Sequence, residues 1–431
     1  MLKTLKNAWK IPELRRKLIF TIVIVLLYRL GAVLPVPYIN GDYLKEALMF
    51  STDGSIFQYL NILSGSAFSQ ATLFALSISP YITASIVIQL LTVAIPALER
   101  LSKDGEEGKK KLTQITRIVT IVLGLVTAFG YYMYMRNIGD NNVLTDRSVF
   151  AAIVVIGCYV AGTALVMWLA EKINEFGIGN GISIILFANI LSSGFSIVGT
   201  FIGYIKEGPW GIVIVEAMIL VSLAIITFVV FITESERRLP IQYAKKVVGR
   251  KMYGGQSTHL PIKLNMSGVM PIIFANSIIA LPATLALIFP VKKEGGIWDR
   301  FVKLFAPDSW LYAVLFMILI VAFAYFYISI SFNPVEVSNN LKKNGGFIPG
   351  IRPGKPTSDY IRKVLNRIVL IGAIFLGVVS VVPLILGSFA PTLSGFAFGG
   401  SSLLIVVGVV LETEHEIEAQ LTMRHYKGFL E

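Results

Sequence analysis

A chain of 431 residues that is 55% hydrophobic and only 15% charged, with a mean hydropathy of +0.72 and a net charge of +12, is more apolar than a soluble core of this length requires. That balance excludes a soluble globular enzyme and predicts a polytopic membrane protein. The only cysteine, Cys158, lies in an apolar run, which excludes an internal disulfide and gives no sign of redox chemistry.

The basic N-terminus, MLKTLKNAWKIPELRRKL, leads into a first apolar run at 18–35. This run is too long for a signal h-region and lacks a small-residue cleavage site, so it reads as a retained span. Residues 60–91 then read as two elements: a half-inserted segment over about 60–73, rich in Ser, Gly and Asn, and a full span over 74–96 with Ser79 and Pro80 in its first turns. Small polar residues at membrane depth are tolerated only where they pack in protein or line a water-filled cavity. The chain is therefore expected to surround a path.

Eight more apolar runs follow, at 115–135, 148–170, 182–205, 211–233, 268–289, 310–332, 367–388 and 398–411. Most approach the roughly 20 residues that a helix needs to cross the hydrocarbon core; the last is short and extends into the polar EHEIEAQ stretch. The short KEGP turn at 206–209 divides the ten runs into two sets of five, 1–207 and 208–431. Because five is odd, the halves have opposite orientations, as in inverted-repeat membrane proteins whose path lies between the halves.

Segments on the N-terminal side of the membrane hold 29 of the 38 Lys and Arg, opposite loops hold 8, and Arg29 lies near the outer end of the first span. Such an excess places both termini in the cytoplasm. Topology alone would produce much of the positive charge. It does not explain the length of the connections at 234–267 and 333–366, since most connections in a compact bundle need only a few residues. Long, basic, turn-rich loops suit a docking surface for an acidic or phosphate-bearing cytoplasmic partner, such as ribosomal RNA or a motor protein.

Ionisable residues inside spans are the default sites of ion coupling, and here they are scarce. No Asp lies in any run; His259, His415 and His425 fall in a loop or the tail, while Glu216 and Glu412 sit near span ends. Three fragments resemble catalytic motifs without completing them. GEEGK at 105–109 is too short for a phosphate loop, His415-Glu416 has Ala419 where a second zinc ligand is needed, and GIGNG at 177–181 follows no strand. The sequence thus offers no catalytic residue, cofactor site or metal site. What remains are apolar rows: Ile78, Ile82 and Ile86, and Ile182 and Leu186, each four apart on one helix face. Spacing alone makes these packing or lipid-facing surface.

Seven stretches carry a resemblance that runs over nearly the whole chain: SPYITASIVIQLL (79–91), EEGKKKLTQITR (106–117), GIGNGISI (177–184), PIQYAK (240–245), PIKLNMSGVMPIIFA (261–275), SFNPVEVSNNLKKNGGFIPGIRPGKPT (331–357) and GGSSLLIVVG (399–408). In order and spacing they resemble the SecY family, the central subunits of Sec protein-conducting channels. The resemblance implies an all-α fold of ten transmembrane helices in two inverted halves around an hourglass pore, with a re-entrant plug helix. Its apolar waist falls on Ile78, Ile82, Ile182, Leu186, Ile273 and Ile405, and its plug on Ser64, Gly65, Ser66, Ala67, Phe68 and Ser69. Two departures are visible: Leu186 replaces a familiar isoleucine, and SGSAF replaces a more usual run of Gly and Ala.

The family's lateral gate lies between spans two and three on one side and seven and eight on the other, with Gln89 and Asn276 as polar candidates near the seam. Arg352, stiffened by Pro349, Pro353 and Pro356, matches the arginine of the family's motor-docking tip. Arg237, Arg238, Lys245, Lys246, Arg250 and Lys251 are the other docking candidates. Partners implied are small SecE- and SecG-type membrane subunits, a SecA-type ATPase, the ribosome, an unfolded preprotein with a signal sequence, and the bilayer of the cytoplasmic membrane. The alternative is an inverted-repeat secondary transporter for a small solute, which needs a coupling residue at mid-depth that the runs do not supply. A membrane-embedded enzyme would need a nucleophile and base that are equally missing.

Overall fold

The computed structural model describes residues 2–427, apart from 51–60, 62, 139–142, 207, 244–245, 249–250, 254–256, 289–295, 307–308 and 390–398. Helices α1 (Leu2–Lys10), α2 (Pro12–Gly31) and α3 (Gly41–Phe50) open the chain. Turns over 64–78 lead to α4 (Ser79–Ala94), α5 (Pro96–Lys103), α6 (Gly105–Asn137), α7 (Val149–Phe176) and α8 (Gly181–Lys206). Beyond the 206–209 turn come α9 (Pro209–Glu234), strands β1 (Glu236–Tyr243), β2 (Lys246–Val248), β3 (Lys251–Tyr253) and β4 (Ser257–Lys263), then α10 (Met270–Ile279) and α11 (Leu281–Ile288). The chain continues with α12 (Ile297–Leu304), α13 (Trp310–Ser331), α14 (Pro334–Lys343), β5 (Gly346–Phe347), α15 (Lys355–Phe389) and α16 (Gly399–Lys427).

A helix, whole or interrupted, occupies each of the ten apolar runs. By length and composition, α6, α7, α9, α13 and α15 can cross a membrane; α4 and α5 make a sixth if they count as one span bent by 102°. The chain is thus a polytopic helical membrane protein. Two expected boundaries move. The second run is helical only from Ser79, and the run at 268–289 is broken at Ala280 into α10 and α11. Both α4 and α10 follow six residues of turn (73–78 and 264–269) and carry proline in their first turn, where its missing N–H leaves no intrahelical bond unmade.

The long basic connections are not simple loops. β1 pairs antiparallel with β4 from Glu236↔Lys263 to Gln242↔Ser257, and β5 joins its other edge through Gln242↔Phe347 and Tyr243↔Gly346. The two connections therefore share one sheet, ordered β4-β1-β5. Leu239 and Ile262 turn inward onto Ala324, Ile328, Leu365 and Ile368, while Ile241 packs with Leu341, Ile348 and Ile361. Arg237 and Arg238 remain exposed.

The polar end of α16 ties this sheet end together. His415 Nε2 lies 2.8 Å from Glu234 Oε1 on α9 and 2.6 Å from Lys263 Nζ on β4. Glu416 accepts from the Gly179 amide at 2.8 Å. Two fragments that mimic catalytic motifs, HE at 415–416 and GIGNG at 177–181, thus serve as one structural joint.

Candidate functional site

The loop at 177–181 sets the register of α8. Asn174 Oδ1 accepts from the Gly181 amide at 2.7 Å, Asn180 Oδ1 from Ile182 at 3.0 Å, and Thr21 Oγ1 from Ile178 at 3.1 Å. With the helix start fixed, Ile182, Leu186 and Asn189 share one face. On α4, the start at Ser79 puts Ile78 at the helix N-cap and Ile82 one turn later. On α10, Ile273, Asn276 and Ser277 share a face, and Ile405 lies in the second turn of α16.

These elements bring all six candidate waist residues into one buried cluster. Ile78, Ile82, Ile182, Leu186, Ile273 and Ile405 are at most 8% exposed. Ile82, Leu186, Ile273 and Ile405 also line a cavity of about 200 Å³ whose wall includes Ser64, Phe68 and Asn276. Ile78 and Ile182 belong to the cluster without lining that cavity. The site is an apolar junction of four helices.

The candidate plug is built differently from the expected helix. Asn61 and Leu63 are helical, but residues 64–71 run in turns. Gly65 and Ser66 take left-handed φ angles of +65° and +71°, as do Ala71 at +49° and Ser77 at +53°. Glycine does this freely, whereas a residue with a Cβ does so at about 1 kcal/mol. Tertiary contacts must hold the segment in place. Gly162 permits one of them, since a Cβ there would lie 2.1 Å from the Leu73 carbonyl oxygen.

The contacts come from two sides. From α8, Asn189 Nδ2 donates to the Leu63 carbonyl at 2.8 Å and to Ser77 Oγ at 3.0 Å. Arg29 of α2 donates to Asn189 Oδ1 at 3.4 Å and also to Ser192 Oγ. From the other side, Tyr131 donates its hydroxyl to the Phe68 carbonyl at 2.5 Å, with the two rings 4.5 Å apart, and Tyr159 donates to the Ala71 carbonyl at 3.4 Å. Within the segment, Asn61 Oδ1 accepts from Ser69 and Ser64 Oγ from Phe68, both at 3.0 Å. Ser64, Ala67, Phe68 and Ser69 are buried as a result.

None of these clamping residues emerged as a site from the sequence. A signal existed for two: Asn189 continues the Ile182–Leu186 row, and Arg29 is a basic residue inside an apolar run. Tyr131 and Tyr159 resemble any buried aromatic.

At the seam, α10 packs against α4 and α11 against α6. Asn276 is buried and lines the cavity, whereas Gln89 is half-buried and does not. At the sheet end, Arg352 is exposed between Gly350 and Gly354, whose φ angles are +80° and +105°. Thr357 Oγ1 donates to the Arg352 carbonyl at 2.8 Å and Ser338 Oγ to the Gly354 carbonyl at 2.8 Å, so the tip is fixed while its guanidinium stays free to reach outward. Lys246 and Lys251 lie on β2 and β3; Lys245 and Arg250 fall outside the described residues.

The SecY family model matches residues 72–414. The protein translocase subunit SecY of Streptomyces galbus is 43% identical over 447 aligned residues, and that of Mycobacterium bovis 42% over 452, each covering the whole of both chains. Among solved structures, a protein-conducting channel superposes with a TM-score of 0.66 at 18% identity, over 96% of each chain. A SecY protein whose plug domain stabilises the closed state gives 0.62 at 18%, and Sec61 of the canine ribosome–channel complex 0.61 at 17%, each again over 96% of both chains. The structures speak for the fold, and the sequence matches carry the kinship: the chain belongs to the SecY family.

Proposed function

We propose that this chain is the channel-forming subunit of a Sec translocase, through which unfolded preproteins cross the cytoplasmic membrane and from which apolar segments leave sideways into the bilayer. The observation that carries the reading is the convergence of Ile78, Ile82, Ile182, Leu186, Ile273 and Ile405 in one buried cluster, beside a cavity bordered by Ser64 and Phe68. An apolar constriction excludes water and ions by dewetting and needs no chemical selectivity site. No step of this work is catalytic; energy comes from partners.

Residues 64–71 act as the plug. Their left-handed φ angles away from glycine and their reliance on side chains of α2, α6, α7 and α8 favour a segment held by its surroundings, one able to leave when those contacts are exchanged. A solved relative whose plug domain maintains a membrane seal supports the assignment. Ten crossings in two inverted halves, 1–207 and 208–431, with both termini cytoplasmic, account for the helix in each apolar run. The paired turn-then-proline starts of α4 and α10 suit such a repeat.

The seam between α4 and α6 on one side and the broken span α10–α11 with α13 on the other is the lateral gate, with Asn276 within it and Gln89 at its edge. Sorting there is thermodynamic. A central Leu favours lipid by about 0.5 kcal/mol and a Lys or Asp opposes it by about 3 kcal/mol, so an apolar segment and a polar one differ by several kcal/mol. The sheet-end platform, with exposed Arg237, Arg238 and Arg352 and the lysines near its β2–β3 tip, docks a SecA-type motor or the ribosome; the canine relative was solved in a ribosome–channel complex. SecE- and SecG-type subunits complete the assembly. The test is the pair Ile82→Asn and Ile273→Asn in reconstituted vesicles. Raised resting ion conductance, with a weaker demand for a good signal sequence, is expected; unchanged conductance would count heavily against the waist.

A further inference from the structure

Helix α12 has an apolar face larger than the described residues cover. At 100° per residue, Ile297, Trp298, Phe301, Val302, Leu304 and the following Phe305 fill a continuous arc of roughly 160°, while the sequence places Asp299, Arg300 and Lys303 on the opposite arc. Only one edge of this face is buried: Val302 packs inward and Phe305 rests on the main core. The other edge is open, with Ile297 91% exposed and Phe301 and Leu304 about 40% exposed. Trp298 stacks on Phe301 at 5.6 Å and Phe301 meets Phe305 at 5.1 Å, so ring contacts run from the open edge to the buried one.

Position says what covers it. α12 rests on α11 and lies at the bundle end opposite the sheet, because α13, which follows it, runs from Trp310 toward β5. Trp310, at the start of α13, is 76% exposed, and Trp210, at the start of α9, is 83% exposed at the same end. Exposed tryptophans at the ends of apolar helices mark the headgroup level of a bilayer. A short helix at that level, with an aromatic and aliphatic face and cations on the other side, has the design of a segment lying in the interfacial plane.

We propose that α12 is seated in the phospholipid headgroup layer, with Ile297, Phe301 and Leu304 at the acyl boundary and Arg300 and Lys303 at the phosphates. The occupant is lipid. Because α12 rests on α11, this seat sets the depth of the half-helix that packs on α6.

The test uses the purified membrane complex, with Cys158→Ala and single cysteines introduced by Ile297→Cys, Phe301→Cys or Arg300→Cys. Each variant carries an environment-sensitive fluorophore in vesicles of phosphatidylcholine with some phosphatidylglycerol. Lipids bearing a nitroxide just below the headgroup are expected to quench the labels at 297 and 301 about threefold more strongly than aqueous iodide does, with the order reversed at 300. Ile297 makes little packing contact, so its replacement leaves the fold intact and that site alone decides the matter. Equal iodide quenching at 297 and 300 without nitroxide quenching would place α12 in water. Shielding at 297 from both quenchers, persisting in detergent, would mean that a protein covers the face. Either result overturns the seat.

Discussion

Asn189 holds the 63–77 stretch by side-chain hydrogen bonds, which the six apolar candidate waist residues cannot make. Its amide holds the Leu63 carbonyl and Ser77, and its carbonyl receives Arg29. Removing a partner from a buried polar group costs about 1–3 kcal/mol, and every 1.4 kcal/mol is tenfold in a population. Asn189→Leu is therefore expected to raise the displaced population of residues 64–71 by about tenfold. In a Cys158→Ala background, thiol labelling of Ser69→Cys in resting vesicles measures it; an unchanged rate would mean that Asn189 does not hold the segment. Tyr131→Phe, which removes the bond to the Phe68 carbonyl but keeps the ring contact, acts in the same direction with an effect nearer 1 kcal/mol. At the candidate waist a polar replacement is expected to act differently, on hydration of the proposed constriction rather than on anchoring.

Among elements, the two connections at the sheet end form one platform because β1 pairs with β4 on one edge and β5 on the other. The exposed Arg352 tip and the exposed Arg237 and Arg238 therefore belong to one connected platform. Arg352→Glu reverses charge on a tip whose backbone is fixed by Thr357 and Ser338, so ATP-driven translocation is expected to stop while thermal stability is unchanged. Normal ATP-dependent transport by that variant would remove Arg352 from the docking surface. The helices were legible because membrane spans need long apolar runs, and every run between 18 and 411 holds a helix. The start of α4 was not, because residues 73–78 are as apolar as a helix yet run in turns. There Leu73 donates to the Leu34 carbonyl and Thr72 bridges to Pro35, partners distant in sequence that no local pattern reveals. The strand β1 was legible in principle, since exposed Arg238 and Pro240 alternate with buried Leu239 and Ile241, but positive charge and proline masked the alternation.

For the whole molecule, the charged groups and the apolar junction divide the work. Lys and Arg concentrate in the connections at 97–117, 234–267 and 333–367, the last two of which carry the surface proposed for docking, while the six candidate waist side chains lie within the main buried cluster. The family resemblance made that cluster findable, because spacing alone cannot tell Ile82 from a packing isoleucine. The clamp around 64–71 stayed hidden because it joins α2, α6, α7 and α8 through single side chains. Polypeptide is expected to pass between the halves at the proposed waist, and a photoreactive probe at position 82 with a stalled secretory chain tests that passage. Crosslinks to successive residues of the translocating segment, absent before the chain engages, are the predicted result. Crosslinks that form only to lipid or to neighbouring helices, while the chain is fully engaged, would contradict it.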